Sequence, residues 1–249
     1  MIDLIDECGE DLASCGYETI KLGKISCSKL VVDKFNAKKI GFNEGHYFVL
    51  KAPIDFVNLE NFGAQLFAEL SCRLKFLLKK NKITKKDKIL FVGIGNPEIM
   101  ADSFGAAVVN KIEILPFKKS NRFIKIIPNT FSNTGINAYD MIRLLVEAFD
   151  ISAVFLFDAL ATTEISRLGT TIQFNDAGLT PGSAMNNFGL PINRETINVP
   201  CFAVGVPLMI SAKQLVKESP KDLVLTEKDV KDKVEFLSGV VADALMEIL

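Results

Sequence analysis

The sequence predicts an α/β sandwich in three layers, with helices on both faces of a mostly parallel sheet. Three observations predict it. Short continuous apolar runs, Ile89-Leu90-Phe91-Val92 and Val154-Phe155-Leu156-Phe157, are the pattern of strands buried on both faces. Between such runs lie segments with apolar residues at three- and four-residue steps, the period of amphipathic helices. The two patterns alternate from Lys88 onward, as strand–helix units do.

Taken in order, Tyr17–Ser26 and His46–Ala52 alternate in polarity and read as strands, with Gly41–Gly45 as a turn cluster. Asn58 opens a long helix striped by Leu59, Phe62, Leu66, Leu70, Leu74 and Leu77. It ends in Lys79, Lys80 and Lys82, cations suited to a helix C-terminus. Ile89–Val92 is a buried strand, Asp102–Ile112 a helix and Phe123–Ile127 another strand. Asn137–Phe149 reads as a helix turning Ala138, Met141, Ile142, Leu145 and Phe149 inward. Val154–Phe157, Thr170–Phe174 and Phe202–Val206 are further strands. Asp229–Leu249 is a closing helix striped by Val230, Val234, Leu237, Val241, Leu245 and Ile248, with Thr226 and Asp229 spaced as a capping box. Residues 1–249 read as one domain, β-rich over 1–55 and an α/β core over 56–249.

Composition removes several function classes. The chain has 249 residues, 49% of them apolar, yet no apolar stretch approaches the ~18 needed to cross a bilayer. The acidic start, Met1 to Glu7, has neither the basic nor the apolar region of a secretion signal. With 29 Lys+Arg against 30 Asp+Glu, net charge −1 supplies no pull toward nucleic acid or membrane, and neither is expected as a direct partner. The Lys cluster at 79–88 has no interleaved aromatic residue and reads as a solvated helix end. Five cysteines without CxxC spacing point to reduced thiols in a cytoplasmic protein. One histidine, His46, leaves no room for a multi-histidine metal site, so neither a metal nor a cofactor is expected. Any catalysis then falls to carboxylates.

In open parallel sheets, ligands bind beyond the carboxyl ends of the strands. The first such loop, Gly93-Ile94-Gly95-Asn96-Pro97, lacks the third glycine of a dinucleotide loop, and Asp102 follows it at a helix start. Asp158 follows four apolar strand residues, where desolvation raises a carboxyl pKa. Each aspartate reads alone as a cap or loop residue. Together they could form an acid–base dyad or supply oxygen ligands to a metal. The third loop, Asn175–Ser183, is dense in Gly, Pro and small polar residues; its Asp176 is a rival site residue or a turn former.

These segments resemble the germination proteases of spore-forming bacteria. The resemblance runs through Gly93-Ile94-Gly95-Asn96 with Asp102, Asp158-Ala159-Leu160-Ala161, Thr170-Thr171-Ile172-Gln173, Asp176, Gly178, Pro181-Gly182-Ser183 and Val204-Gly205-Val206-Pro207. Thr134-Gly135-Ile136 and the closing helix fit as well. The resemblance implies an atypical aspartic-type endopeptidase of the spore-core cytoplasm. Its substrates would be small acid-soluble spore proteins, with Asp102 and Asp158 matching the catalytic aspartates; a homo-oligomer is compatible with it. There are departures. The chain is compressed over Lys111–Asn133 and after Pro207, Thr162-Thr163-Glu164 replaces a stretch that usually carries a basic residue, and Ala184-Met185 follows Ser183. The start lies near where a mature enzyme of the family begins, so little inhibitory N-terminal segment is expected. Hydrogenase maturation endopeptidases and peptidyl-tRNA hydrolases share the sandwich. The first want a glutamate where Ser103 stands, and both want a histidine downstream. A metal-assisted maturation-type peptidase and a non-catalytic spore-protein-binding relative are the alternatives.

Overall fold

A single mixed sheet organises the residues described by the structure, a computed structural model: 3–8, 12–53, 62–114, 122–182, 189–215 and 223–249. Its strands are β1 (Glu18–Leu22), β2 (Ile25–Val32), β3 (Gly45–Lys51), β4 (Ile89–Gly93), β5 (Phe123–Ile126), β6 (Ala153–Thr162), β7 (Thr171–Asn175), β8 (Cys201–Ser211) and β9 (Val224–Leu225). They lie in the order β1-β2-β3-β7-β8-β6-β4-β5, with β9 beside β8. The helices are α1 (Lys34–Ile40), α2 (Phe62–Lys80), α3 (Phe104–Lys111), α4 (Phe131–Thr134), α5 (Ala138–Phe149), α6 (Arg194–Ile197) and α7 (Val230–Ile248).

The mostly parallel sheet expected from the sequence is corrected here. Parallel pairing joins β5, β4, β6 and β8, whereas β1, β2, β3, β7 and β8 are linked antiparallel. The connections explain the division. Only Gly23 and Lys24 separate β1 from β2, a link too short for the crossover that parallel strands need. The parallel pair β4–β5 is instead joined through α3.

Alternate residues of the apolar runs face opposite ways. Phe91, Phe155 and Phe157 pack with Phe202 against α2, α3 and α7. Leu90, Val92, Val154 and Leu156 pack on the other face with Ile142 and Val146 of α5. Rings stack along the first face, with Phe155 and Phe202 centroids 4.7 Å apart.

The stripes of α2 and α7 are buried as expected from Phe62 and Val230 onward, while Asn58 and Leu59 lie outside the described residues. Three local readings change. Phe149 is exposed and Val146 takes the inward place on α5. The Thr226 hydroxyl donates to Leu208 O, and Asp229 stands at the N-cap without a side-chain capping bond, so no capping box forms. Helix α1 was not legible: it buries only Ile40, so it lacks a stripe, and is defined by Asp33 accepting from Phe35 N and Asn36 N. Among the described residues no helix is long and apolar enough to cross a membrane.

Phe155 sits between Phe91 and Phe202 with no solvent exposure. Phe155→Ala is expected to cost about 3–5 kcal/mol in urea denaturation. Phe35→Ser, at a ring 81% exposed, should stay within about 0.5 kcal/mol.

Candidate active site

Strand β6 runs past the apolar quartet to Thr162, so Asp158 is a strand residue paired with Gly205 of β8, and the loop expected there is corrected. On its other side β4 ends at Gly93, opposite Phe157. Asp158 therefore lies one step beyond the end of its neighbour, at the notch where the chain leaves β4.

That departing chain folds back onto the notch. Ile94 N donates to Phe157 O at 2.8 Å. A 3-10 turn, Met100–Asp102, then leads into α3. The start of α3 lies directly on the strand ends. A Cβ at Gly105 would meet Phe157 O at 2.3 Å, and one at Gly93 would meet Gly105 O at 2.5 Å. Gly95 is held at φ +102°, and a Cβ there would stand 2.7 Å from Asp102 Oδ1. The glycines thus admit the close backbone contact that brings Asp102 toward Asp158.

Asp102 does not cap α3. Ser103 occupies the N-cap without a side-chain capping bond, its Oγ donating instead to Met100 O at 2.8 Å, and Asp102 Oδ2 accepts from Asn96 N at 2.7 Å. Burial raises the Asp102 carboxyl above the ordinary aspartate value, and the Asn96 N–H works against that rise. Asp158 is raised much further. Burial is the main cause, the charge of Asp102 the second and that of Asp3 the third, with the Ala159 N–H opposing. Asp102 and Asp158 thus lie within electrostatic reach and in unequal surroundings.

Both carboxylates line a cleft of about 460 Å³. Asn129, Thr130, Phe131 and Tyr139 also line it, as do Pro181, Gly182, Gly189 and Leu190. A smaller cavity of about 120 Å³ also reaches Asp158 and is lined by Tyr47, Gln173, Asn175, Gly178 and Thr180.

Sequence reasoning missed Asp3, which borders both cavities. Its Oδ2 accepts from Ala161 N at 2.9 Å, and its carbonyl accepts from Gln173 Nε2 at 2.9 Å. Leu4 and Ile5 are fully buried beside it, and Asp6 and Glu7 pair with Arg167. No local motif marks this contact, which joins the amino end to strands far along the chain.

Asp176 is brought elsewhere. It accepts from His46 N at 2.6 Å and Asn81 Nδ2 at 2.8 Å, and its Oδ2 lies 3.2 Å from His46 Nδ1. It is not among the residues lining either cavity. The expectation that all three loops leave the same sheet edge fails because β7 runs antiparallel to β8. The segment after Asp176 returns through pairing of Leu179 with Ile192, which brings Pro181 and Gly182 to the cleft. Ser183, Ala184 and Met185 lie outside the described residues. Among the described residues no group of three or more His, Cys, Asp or Glu is placed to hold a metal.

The fold and the cleft define an α/β protein carrying a pair of interacting, partly desolvated carboxylates at a sheet edge. The chain belongs to the germination protease family, whose family model, described as "Germination protease", matches residues 6–234. It is 28% identical over 241 residues to the germination protease of Caldanaerobacter subterraneus subsp. tengcongensis, an alignment covering 91% of this chain and 71% of the relative. To that of Oceanobacillus iheyensis it is 30% identical over 207 residues, covering 78% and 56%. To that of Bacillus cereus it is 27% identical over 208 residues, again covering 78% and 56%. The chain therefore spans little more than half the length of the Oceanobacillus and Bacillus relatives.

Asp158 keeps its proton in the folded chain at pH values where the unfolded chain has lost it. The stability linked to that proton is complete below about pH 4 and is lost as pH rises through the raised folded value. Asp158→Asn should abolish this decline, making the variant more stable than wild type at pH 7 and closer to it near pH 4. Parallel urea-stability profiles for the two proteins would contradict the burial argument. Gly95→Ala should lose about 1–3 kcal/mol by the same measurement, from the strained φ and the contact with Asp102.

Proposed function

We propose that the chain is an endopeptidase that uses Asp102 and Asp158 as one coupled pair around a water molecule, and that it cleaves small acid-soluble spore proteins. The observation that carries this reading is the unequal burial of two interacting carboxylates in one cleft. Like charges in a dry site cannot both ionise cheaply, so the pair holds one proton and titrates as a unit. Asp158, the more deeply desolvated, keeps that proton. Asp102, with a backbone N–H on its Oδ2, carries the charge. Asp102 then takes a proton from the water as its oxygen attacks the scissile carbonyl, and Asp158 donates its hydrogen bond to the carbonyl oxygen. Asp102 then passes that proton to the amide nitrogen, so the C–N bond breaks, the amine leaves and the pair is back to one proton, on Asp158.

The same reading treats the fold as a three-layer α/β/α sandwich, similar to hydrogenase maturation proteases and peptidyl-tRNA hydrolases. Helices packed on both faces of β4 and β6 support it. It assigns residues 1–249 to one domain, locates the protein in the cytoplasm of the spore core, and leaves room for a homo-oligomer. Ser103 beside Asp102, where a maturation-type peptidase wants a glutamate, weighs against the metal-assisted alternative.

The test is incubation with a purified small acid-soluble spore protein, with cut sites mapped by mass spectrometry. Asp102→Asn and Asp158→Asn should each reduce cleavage by at least about 10²-fold, and the double variant should be little worse. Asp176→Asn should retain measurable cleavage. Near wild-type cleavage by either folded single variant would sink the dyad. Retention of the substrate without cleavage would favour the binding relative, and activity lost to chelation alongside stoichiometric nickel or zinc would favour the metal-assisted peptidase.

A further inference from the structure

Lys75, Lys79, Lys82, Lys85 and Arg122 converge on one open cavity of about 390 Å³. It lies at the edge where the parallel strands begin. Lys82 and Lys85 precede β4, and Arg122 precedes β5, its carbonyl accepting from Ile89 N at 2.8 Å. Asp102 and Asp158 lie beyond the other end of β4. The two sites therefore face opposite edges of the sheet.

The cavity is unbalanced in charge. Residues 75–88 hold seven lysines and a single acid, Asp87, in a chain whose net charge is −1. No acidic side chain lines the cavity. Asp87, which is not among the lining residues, accepts from Thr84 N and Oγ1. All four lysines are exposed, and none is ion-paired among the described residues. The last carbonyls of α2 are engaged by the backbone N–H groups of Asn81, Lys82 and Ile83.

Arg122 is fixed in place. Its Nε donates to Asp87 O at 3.0 Å, its Nη2 to Thr84 O at 3.2 Å and its Nη1 to Leu249 O, and it lies over the Phe123 ring. Three carbonyl oxygens thus hold this charge at the cavity. Lys82 stands at φ 59°, the left-handed turn after a helix that glycine ordinarily fills. A lysine held in that conformation on the cavity rim is backbone strain with a side chain at stake.

We propose that this cavity binds phosphate groups of a polyanion through charge, the source being either a nucleic-acid backbone or a free oligophosphate. Lysine ammonium groups are compact, hydrated point charges that donate to phosphate oxygens in many geometries. No aromatic ring lines the cavity, so bases have no stacking platform and binding is independent of sequence. Because the carboxylates face the other edge, an anchored molecule keeps its cleft open. The proposal does not rest on the proteolytic reading, and its test requires no cleavage.

The experiment is fluorescence anisotropy of the whole chain with a labelled 20-base-pair DNA duplex, alongside isothermal titration calorimetry with tripolyphosphate. Four neutralised phosphates give a log–log salt slope of about −3.6, so raising salt from about 50 to 200 mM should weaken duplex binding about 100-fold. Lys79→Glu with Lys85→Glu should weaken it at least about tenfold, while Lys34→Glu with Lys38→Glu on α1 should change little. Circular dichroism confirms that each variant is folded. Tripolyphosphate binding that is lost in the Lys79→Glu, Lys85→Glu variant, without duplex binding, supports the site and assigns it to a small phosphate. Binding of neither probe at 50 mM salt, or binding indifferent to Lys79→Glu with Lys85→Glu, overturns the proposal.

Discussion

The backbone contact between the start of α3 and the ends of β4 and β6 is the constraint on which the site depends. A helix normally packs on a sheet at side-chain distance, about 10 Å away. Here Gly93 and Gly105 remove the spacer, and the chain at Gly105 comes within a Cβ's reach of Phe157 O. One residue further along β6 stands Asp158, and three residues before Gly105 stands Asp102. A methyl group at either glycine would push the helix outward and separate the carboxylates. The pairing of two acids far apart in sequence is thus set by what the glycines lack.

Bringing acids together in a dry notch works against folding, and the structure meets that opposition only in part. Asn96 N–H supports the charged form of Asp102, and Ala159 N–H favours that of Asp158. Asp3 adds a third carboxylate to the neighbourhood, which raises Asp158 further. The row of stacked phenylalanines beneath the notch supplies apolar burial that tolerates the strain above it. Apolar packing thus lies directly under a site whose carboxyl groups oppose folding.

How much was legible follows from which signals are local. The stripes of α2 and α7 and the buried runs of β4 and β6 were read correctly because burial writes itself into residue type at fixed spacing. Asp102 and Asp158 were legible as ionisable residues beside such runs. The direction of β7 was not, since a strand buried on both faces looks the same whichever way it runs. That one ambiguity placed Asp176 at the wrong edge. The length of β6 was hidden because Asp158, in the middle of it, interrupts the apolar pattern. Asp3 and Arg122 were invisible for another reason: each acts on residues distant in sequence, and nothing nearby announces the contact.

The division of the sheet into two pairing modes also orders how the molecule can assemble. On the antiparallel side, β1 and β2 meet across a two-residue link and β3 joins after one short helix, so little loop entropy opposes these three, whereas β3 meets β7 only across a long stretch of chain. On the parallel side, β6 must find β4 across α3, β5 and α5, and then receive β8 from beyond β7. Closing such long loops is slow. The notch that holds Asp102 and Asp158 exists only after those closures. A chain in which β4 and β6 have not yet paired therefore carries both aspartates as ordinary, solvated acids, and any chemistry they perform together waits on that parallel ladder.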